Sequence, residues 1–144
     1  MDFDQDFSTV DLILRSDFET RGVNAFILSF IKCEKQARRI FTYLVFQNPT
    51  YTSSDYTQLR STLSNNRRLY FSNFINGIDR ISPLPLNDIY GNDYQADYAY
   101  LTQFASDRNK IFHGQVTLDG LSRQDLIDRI ILIKKWCKNL GEKM

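Results

Sequence analysis

The sequence predicts an all-α fold, a single up-and-down bundle of five to six helices spanning residues 1–144 as one domain. Apolar residues recur every three or four positions through most of the chain, which is the period of a helix with one face on a core. No stretch shows the apolar–polar alternation of a half-buried strand. Stop signals separate the periodic segments at Asn48-Pro49, Ser82-Pro83-Leu84-Pro85 and Gly114.

The first amphipathic segment is 8–18, with Val10, Ile13, Leu14 and Phe18 at helical spacing. A long helix is expected over 21–47, carrying Val23, Phe26, Ile27, Phe30, Ile31, Ala37, Ile40, Phe41, Leu44 and Val45. Asn48-Pro49 ends it, because the residue before a proline is pushed out of the α region. Ser53 or Ser54 is placed to cap a third helix over 54–64, with Tyr56, Leu59 and Leu63 on its inner face. A fourth runs over 66–81 with Phe71, Phe74, Ile75, Ile78 and Ile81. Residues 82–87 form the one real linker, apolar enough to pack on the bundle. A fifth helix covers 93–113, and Gly114 fits the glycine that follows a helix end. The last starts with Ser122 as cap and Asp125 in the capping-box position. It runs to about 140 with Leu126, Ile130, Ile133, Cys137 and Leu140 inward.

Composition narrows the function classes. A hydrophobic content of 42% with 24% charged residues describes an ordinary globular chain. The net charge of +1 provides no global polycation for gripping nucleic acid. The charge is uneven: Asp2, Asp4, Asp6, Asp11, Asp17 and Glu19 against Arg15 give −5 over residues 1–19, leaving +6 beyond them. The acidic start is unlike a secretory signal, and no apolar run is long enough to span a bilayer. Cys33 and Cys137 fall inside expected helices, far apart in sequence, which points to a reducing cytoplasm and not to a disulfide framework. No ligand pair has structural-zinc spacing, so neither a metal nor a cofactor is expected.

The stretch with the most chemistry is Arg108-Asn109-Lys110-Ile111-Phe112-His113-Gly114. His113 is the only histidine, and histidine is the side chain suited to moving protons near neutral pH. Arginine is suited to holding a phosphate. The order R-N-K-I-F-H resembles the R-polar-x3-H signature of the HEPN family (higher eukaryotes and prokaryotes nucleotide-binding domains), with Arg108, Asn109 and His113 each on a family position. The resemblance is sharpest over 104–115 and extends loosely along the chain, since members are small helical bundles of similar length. It implies a metal-independent endoribonuclease acting as a homodimer, a toxin or an anti-phage defence effector with RNA as substrate. A cognate antitoxin or regulatory protein is a partner implied in the same way. In one toxin branch a tyrosine two residues after the histidine is the site of neutralising modification. Here that position is Gln115. The alternative is a non-catalytic module of the same fold that binds a nucleotide or a partner. A plainer reading of His113 is a dipole partner at a helix C-terminus.

Arg108 falls on the apolar stripe of its helix, formed by Tyr94, Tyr98, Leu101, Ala105 and Phe112. A charge there must be paired or line a cavity. Glu34 has a matching position on the long helix, between Phe30/Ile31 and Ala37/Phe41. Glu34 is therefore a candidate to orient Arg108, with Arg38 one turn on as its other available partner. Arg108 and His113 lie about 140° apart around a straight helix, a geometry that a second protomer would complete. Lys110 and the pairs Arg38-Arg39 and Arg67-Arg68 are candidate contacts to an RNA backbone. Tyr94, Tyr98 and Tyr100 are candidate base-stacking residues, of which at least two belong in a core.

Overall fold

The computed structural model describes residues 7–15, 21–47, 52–65, 70–112 and 123–143. The described residues form seven helices: α1 (Ser8–Arg15), α2 (Arg21–Val45), α3 (Ser53–Asn65), α4 (Phe71–Ile81), α5 (Leu86–Tyr90), α6 (Tyr94–Phe112) and α7 (Arg123–Lys143). Among the described residues there is no strand, so the architecture is an all-α bundle. No described helix is long and apolar enough to cross a membrane.

Helix α2 is the axis of the bundle and touches α1, α3, α4, α6 and α7. That explains why its apolar residues spread beyond one narrow stripe. Phe30 and Phe41 meet Phe71 and Phe74 of α4 edge to face. Phe26 meets Phe104 of α6. Cys33 and Ala37 are buried, and the Gln36 Nε2 donates to the Cys137 carbonyl of α7 at 2.6 Å. The pairings fix the directions. Phe26 and Gln36 meet Arg129 and Cys137 in the same order, so α2 and α7 run parallel. Phe46 packs on Tyr56, and Lys35 lies by Leu63, so α3 returns antiparallel to α2. Asp97 and Asp107 pair with Lys135 and Arg129 in reverse order, so α6 is antiparallel to α7.

The boundaries show where local chemistry acts. Helix α3 is capped by Thr52, and not by Ser53 or Ser54. The Thr52 N–H donates to Asp55 Oδ2 at 2.8 Å, and the Asp55 N–H donates to Thr52 Oγ1 at 3.3 Å. Thr52 wins because Asp55 stands three residues on, which closes a capping box. Helix α4 begins at Phe71 and not at 66: Tyr70 is extended, and its N–H donates to Asn73 Oδ1 at 2.9 Å. The 82–87 linker is shorter than expected, because α5 starts directly after Pro85. Proline is tolerated at a helix start, where its missing N–H costs nothing. The Leu86 N–H donates to Asp79 Oδ1 at 2.8 Å, and Leu86 is fully buried. Gly91 ends α5 with φ of 112°, a conformation that glycine adopts without strain. The expected cap Ser122, the stop at Gly114, and Asn48-Pro49 lie outside the described residues.

Trp136, fully buried on α7, is the centre of an aromatic block. Its ring lies 4.9 Å from Tyr90, 5.8 Å from Tyr94, 6.2 Å from Tyr98 and 6.1 Å from Phe71. All five residues expected inward on the last helix are buried.

Candidate functional site

Arg108 and Asn109 sit near the C-terminal end of α6. The preceding Leu101 and Phe104 anchor that helix in the core. Arg108 follows Phe104 by four residues, so the helix turns it toward α2. There it meets Glu34: the Arg108 Nη2 lies 2.6 Å from Glu34 Oε1. The two side chains are 11% and 16% exposed, which makes this a largely desolvated ion pair. The guanidinium also lies over the Phe30 ring, 5.1 Å from its centroid. It donates to Asn109 Oδ1 from Nε at 3.2 Å and from Nη2 at 3.0 Å. A carboxylate, an aromatic face and an amide oxygen thus hold one arginine in one place.

Of the two partners open to Glu34, the structure chooses Arg108. Arg38 turns away and stacks over Phe74 at 5.6 Å. The reason is geometric: Phe30, on the same side of α2 one turn before Glu34, lies under the Arg108 guanidinium, so Glu34 meets a charge already facing inward.

Asn109 also borders a cavity of about 290 Å³ between α4 and α6, with Tyr70, Ser72, Thr102 and Ser106 on its walls. A cluster of hydroxyl groups and one amide next to a fixed arginine can accept and donate hydrogen bonds to a polar ligand. Lys110 is exposed near the helix end. His113, Arg67 and Arg68 lie outside the described residues. Arg38 and Arg39 line a larger cavity of about 490 Å³ between α2 and α3.

Two cations of that larger cavity escaped the sequence reading, Lys35 and Arg60. Lys35 had a legible signal, since it shares a face with Arg38 and Arg39 at helical spacing. Arg60 had none, because only the antiparallel return of α3 brings it there. A second inward arginine was also missed. Arg129 pairs with Asp107 at 2.7 Å and lies over Phe104 at 4.6 Å. Among the stacking candidates, Tyr94 is buried against Trp136 and serves the core, while Tyr100 is exposed.

Both cysteines are free and buried. The hydrogen bond to Cys137 and burial push the Cys33 thiol well above its usual range, which keeps it protonated and unreactive. Among the described residues no group of three His, Cys, Asp or Glu side chains is arranged to hold a metal ion. No family model, no curated protein and no solved structure matches this chain.

Proposed function

We propose that this protein is a metal-independent endoribonuclease of HEPN type, with Arg108, Asn109 and His113 as its catalytic residues. The observation that carries the reading is the fixation of Arg108 by Glu34 and Asn109 one turn before the end of α6. A preorganised guanidinium is what charge stabilisation at a phosphoryl group needs, because no reorganisation is left to perform during the reaction. His113 follows directly after Phe112, the last residue of α6.

In this mechanism one imidazole takes the proton from a ribose 2′-OH. The 2′-oxygen attacks the adjacent phosphorus, and the bond to the 5′-oxygen breaks. An imidazole of the same or the partner protomer then protonates that leaving oxygen. Arg108 stabilises the charge on the phosphoryl oxygens, and Asn109 holds the imidazole or the phosphate. The substrate is RNA, since the attack requires a 2′-OH. The site is completed in a C₂ homodimer, where each protomer lends one helix end. A toxin or anti-phage effector of the cytoplasm, held in check by a cognate antitoxin or regulatory protein, is the matching biological role.

One observation favours a second reading. With 11% exposure and three partners, Arg108 is also well placed as a purely structural charge in a non-catalytic module that binds a nucleotide or another protein. Incubation with single-stranded RNA in EDTA separates the two. The nuclease reading expects cleavage that His113→Ala reduces by about 10²–10⁴-fold, the usual weight of a general acid–base group, with an unchanged helical spectrum. Absence of cleavage by the wild-type dimer supports the binding module instead. Sedimentation of a fully active monomer would overturn the shared-site assembly.

A further inference from the structure

The groove between α2 and α3 has a chemistry that the α6 cluster does not use. Lys35, Arg38 and Arg39 project from one face of α2, and Arg60 of α3 faces them across a cavity of about 490 Å³. That volume is in the range of ligand-binding clefts. No carboxylate is among the described residues that line it. The contrast with the rest of the molecule is sharp. Arg108, Arg129, Lys134 and Lys135 each pair with an acid at 2.6–3.0 Å. None of the four groove cations has an acidic partner among the described residues. In a chain of net charge +1, four unbalanced cations around one cleft are a strong local field.

Two further features separate this cleft from a solvated basic face. The Arg38 guanidinium lies over the Phe74 ring, 5.6 Å from its centroid, which holds it at the cavity wall. Its Nε is buried without a hydrogen-bond partner. A buried donor left unmet is costly, which leaves this guanidinium short of acceptors at the cavity wall. Tyr56 lies at the same cavity, 41% exposed, with its ring braced on Phe46 at 4.8 Å. A braced, half-open aromatic ring beside a row of cations is the pairing that binds single strands: cations follow the phosphates and the ring stacks a base.

We propose that the α2–α3 groove binds the phosphodiester backbone of single-stranded RNA and leads it toward Arg108. Continuity along α2 supports the direction, since Lys35 is the residue after Glu34 and Arg38 lies one turn further. The choice of RNA as the source of the phosphates rests on the ribonuclease reading, while the oxyanion chemistry of the groove does not.

The test uses the full chain with a fluorescent single-stranded RNA whose 2′-oxygens are methylated, so that it cannot be cut, comparing wild type, Lys35→Gln/Arg60→Gln and His113→Ala, with the unmodified strand in EDTA run in parallel to read cleavage. Both groove residues are exposed, so the double variant is expected to melt like wild type. Its affinity should fall about tenfold or more, and the slope of log K against log salt should flatten by about 1.4, near 0.7 for each lost phosphate contact. His113→Ala should bind as wild type does. Inorganic phosphate, added at the same concentration as the RNA phosphates, should not displace the RNA. Unchanged affinity and slope in the double variant overturn the groove while leaving the ribonuclease reading intact. Displacement by equimolar inorganic phosphate overturns RNA as the ligand. RNA that binds through the groove but is never cut upholds the groove and removes the ribonuclease reading.

Discussion

The two ends of α6 treat charge in opposite ways. Near its start, Asp97 is almost buried and fully answered: the Tyr90 hydroxyl donates to its Oδ2 at 2.6 Å, and Lys135 Nζ lies 2.9 Å from the same oxygen. The Trp136 aromatic block covers this pair, and Lys135 also reaches Asp93 at 3.0 Å. Near the other end, the Glu34–Arg108 pair is equally close but lies beside Asn109 and an open cavity with hydroxyl groups on its walls, with the unbalanced cations of α2 one turn away. A buried ion pair by itself therefore says little about function. What distinguishes the second end is spare hydrogen-bonding capacity and unbalanced charge next to the pair.

That difference can be broken from either side. The largest stability effect is expected at the closed end. Trp136→Ala should cost about 3–5 kcal/mol, the usual range for removing a large buried aromatic, read as a shifted urea midpoint. The fraction that remains folded should bind RNA as wild type does. Glu34→Ala should cost about 2–3 kcal/mol, at the lower edge for breaking a buried pair because both side chains keep some exposure. Unlike Trp136→Ala it should also lower cleavage per folded molecule, since Arg108 loses its anchor. A double-mutant cycle with Arg108→Met should recover part of the stability and none of the activity. Tyr90→Phe should cost about 1.5–3 kcal/mol, the worth of a hydrogen bond to a charged acceptor, with activity untouched.

The smallest effect is a pH dependence. Burial, helped by the nearby Asp79 and Tyr98, pushes the Tyr94 hydroxyl up to about 12. Burial and the bond to Asp97 raise Tyr90 as well. Between the unfolded tyrosine value of about 10 and these raised values, the folded chain keeps protons that the unfolded chain has lost. Stability from these groups is thus complete below pH of about 10 and declines as pH climbs toward 12. Melting temperatures across that window should fall, and Tyr94→Phe should soften the fall. A flat profile would show that these hydroxyls are more solvated than their burial implies.

Much of this was legible in the sequence for a physical reason. Leu126, Ile130, Ile133, Cys137 and Leu140 follow a clean helical period, and all are buried. Glu34 and Arg108 could be matched because each interrupts an apolar stripe, and a charge in such a place needs a partner. The buried Asp97 was not legible, because its partners come from α5 and α7, neither of which the periodicity of α6 reports. Helix α5 was hidden by the two prolines just before it, which read as a linker although Pro85 opens a helix. Arg60 could be placed only once the direction of α3 was known.

The central claim is that Arg108 and His113 serve cleavage through the ribose 2′-OH. The most direct measurement is end-group analysis of products from a single-stranded RNA in EDTA, alongside the same strand carrying one 2′-deoxy residue at the cleaved position. The account predicts 2′,3′-cyclic phosphate and 5′-hydroxyl ends, no cut at the deoxy position, and loss of both products in Arg108→Ala and His113→Ala. Products with 5′-phosphates, cleavage at the deoxy residue, or an activity abolished by EDTA would contradict it.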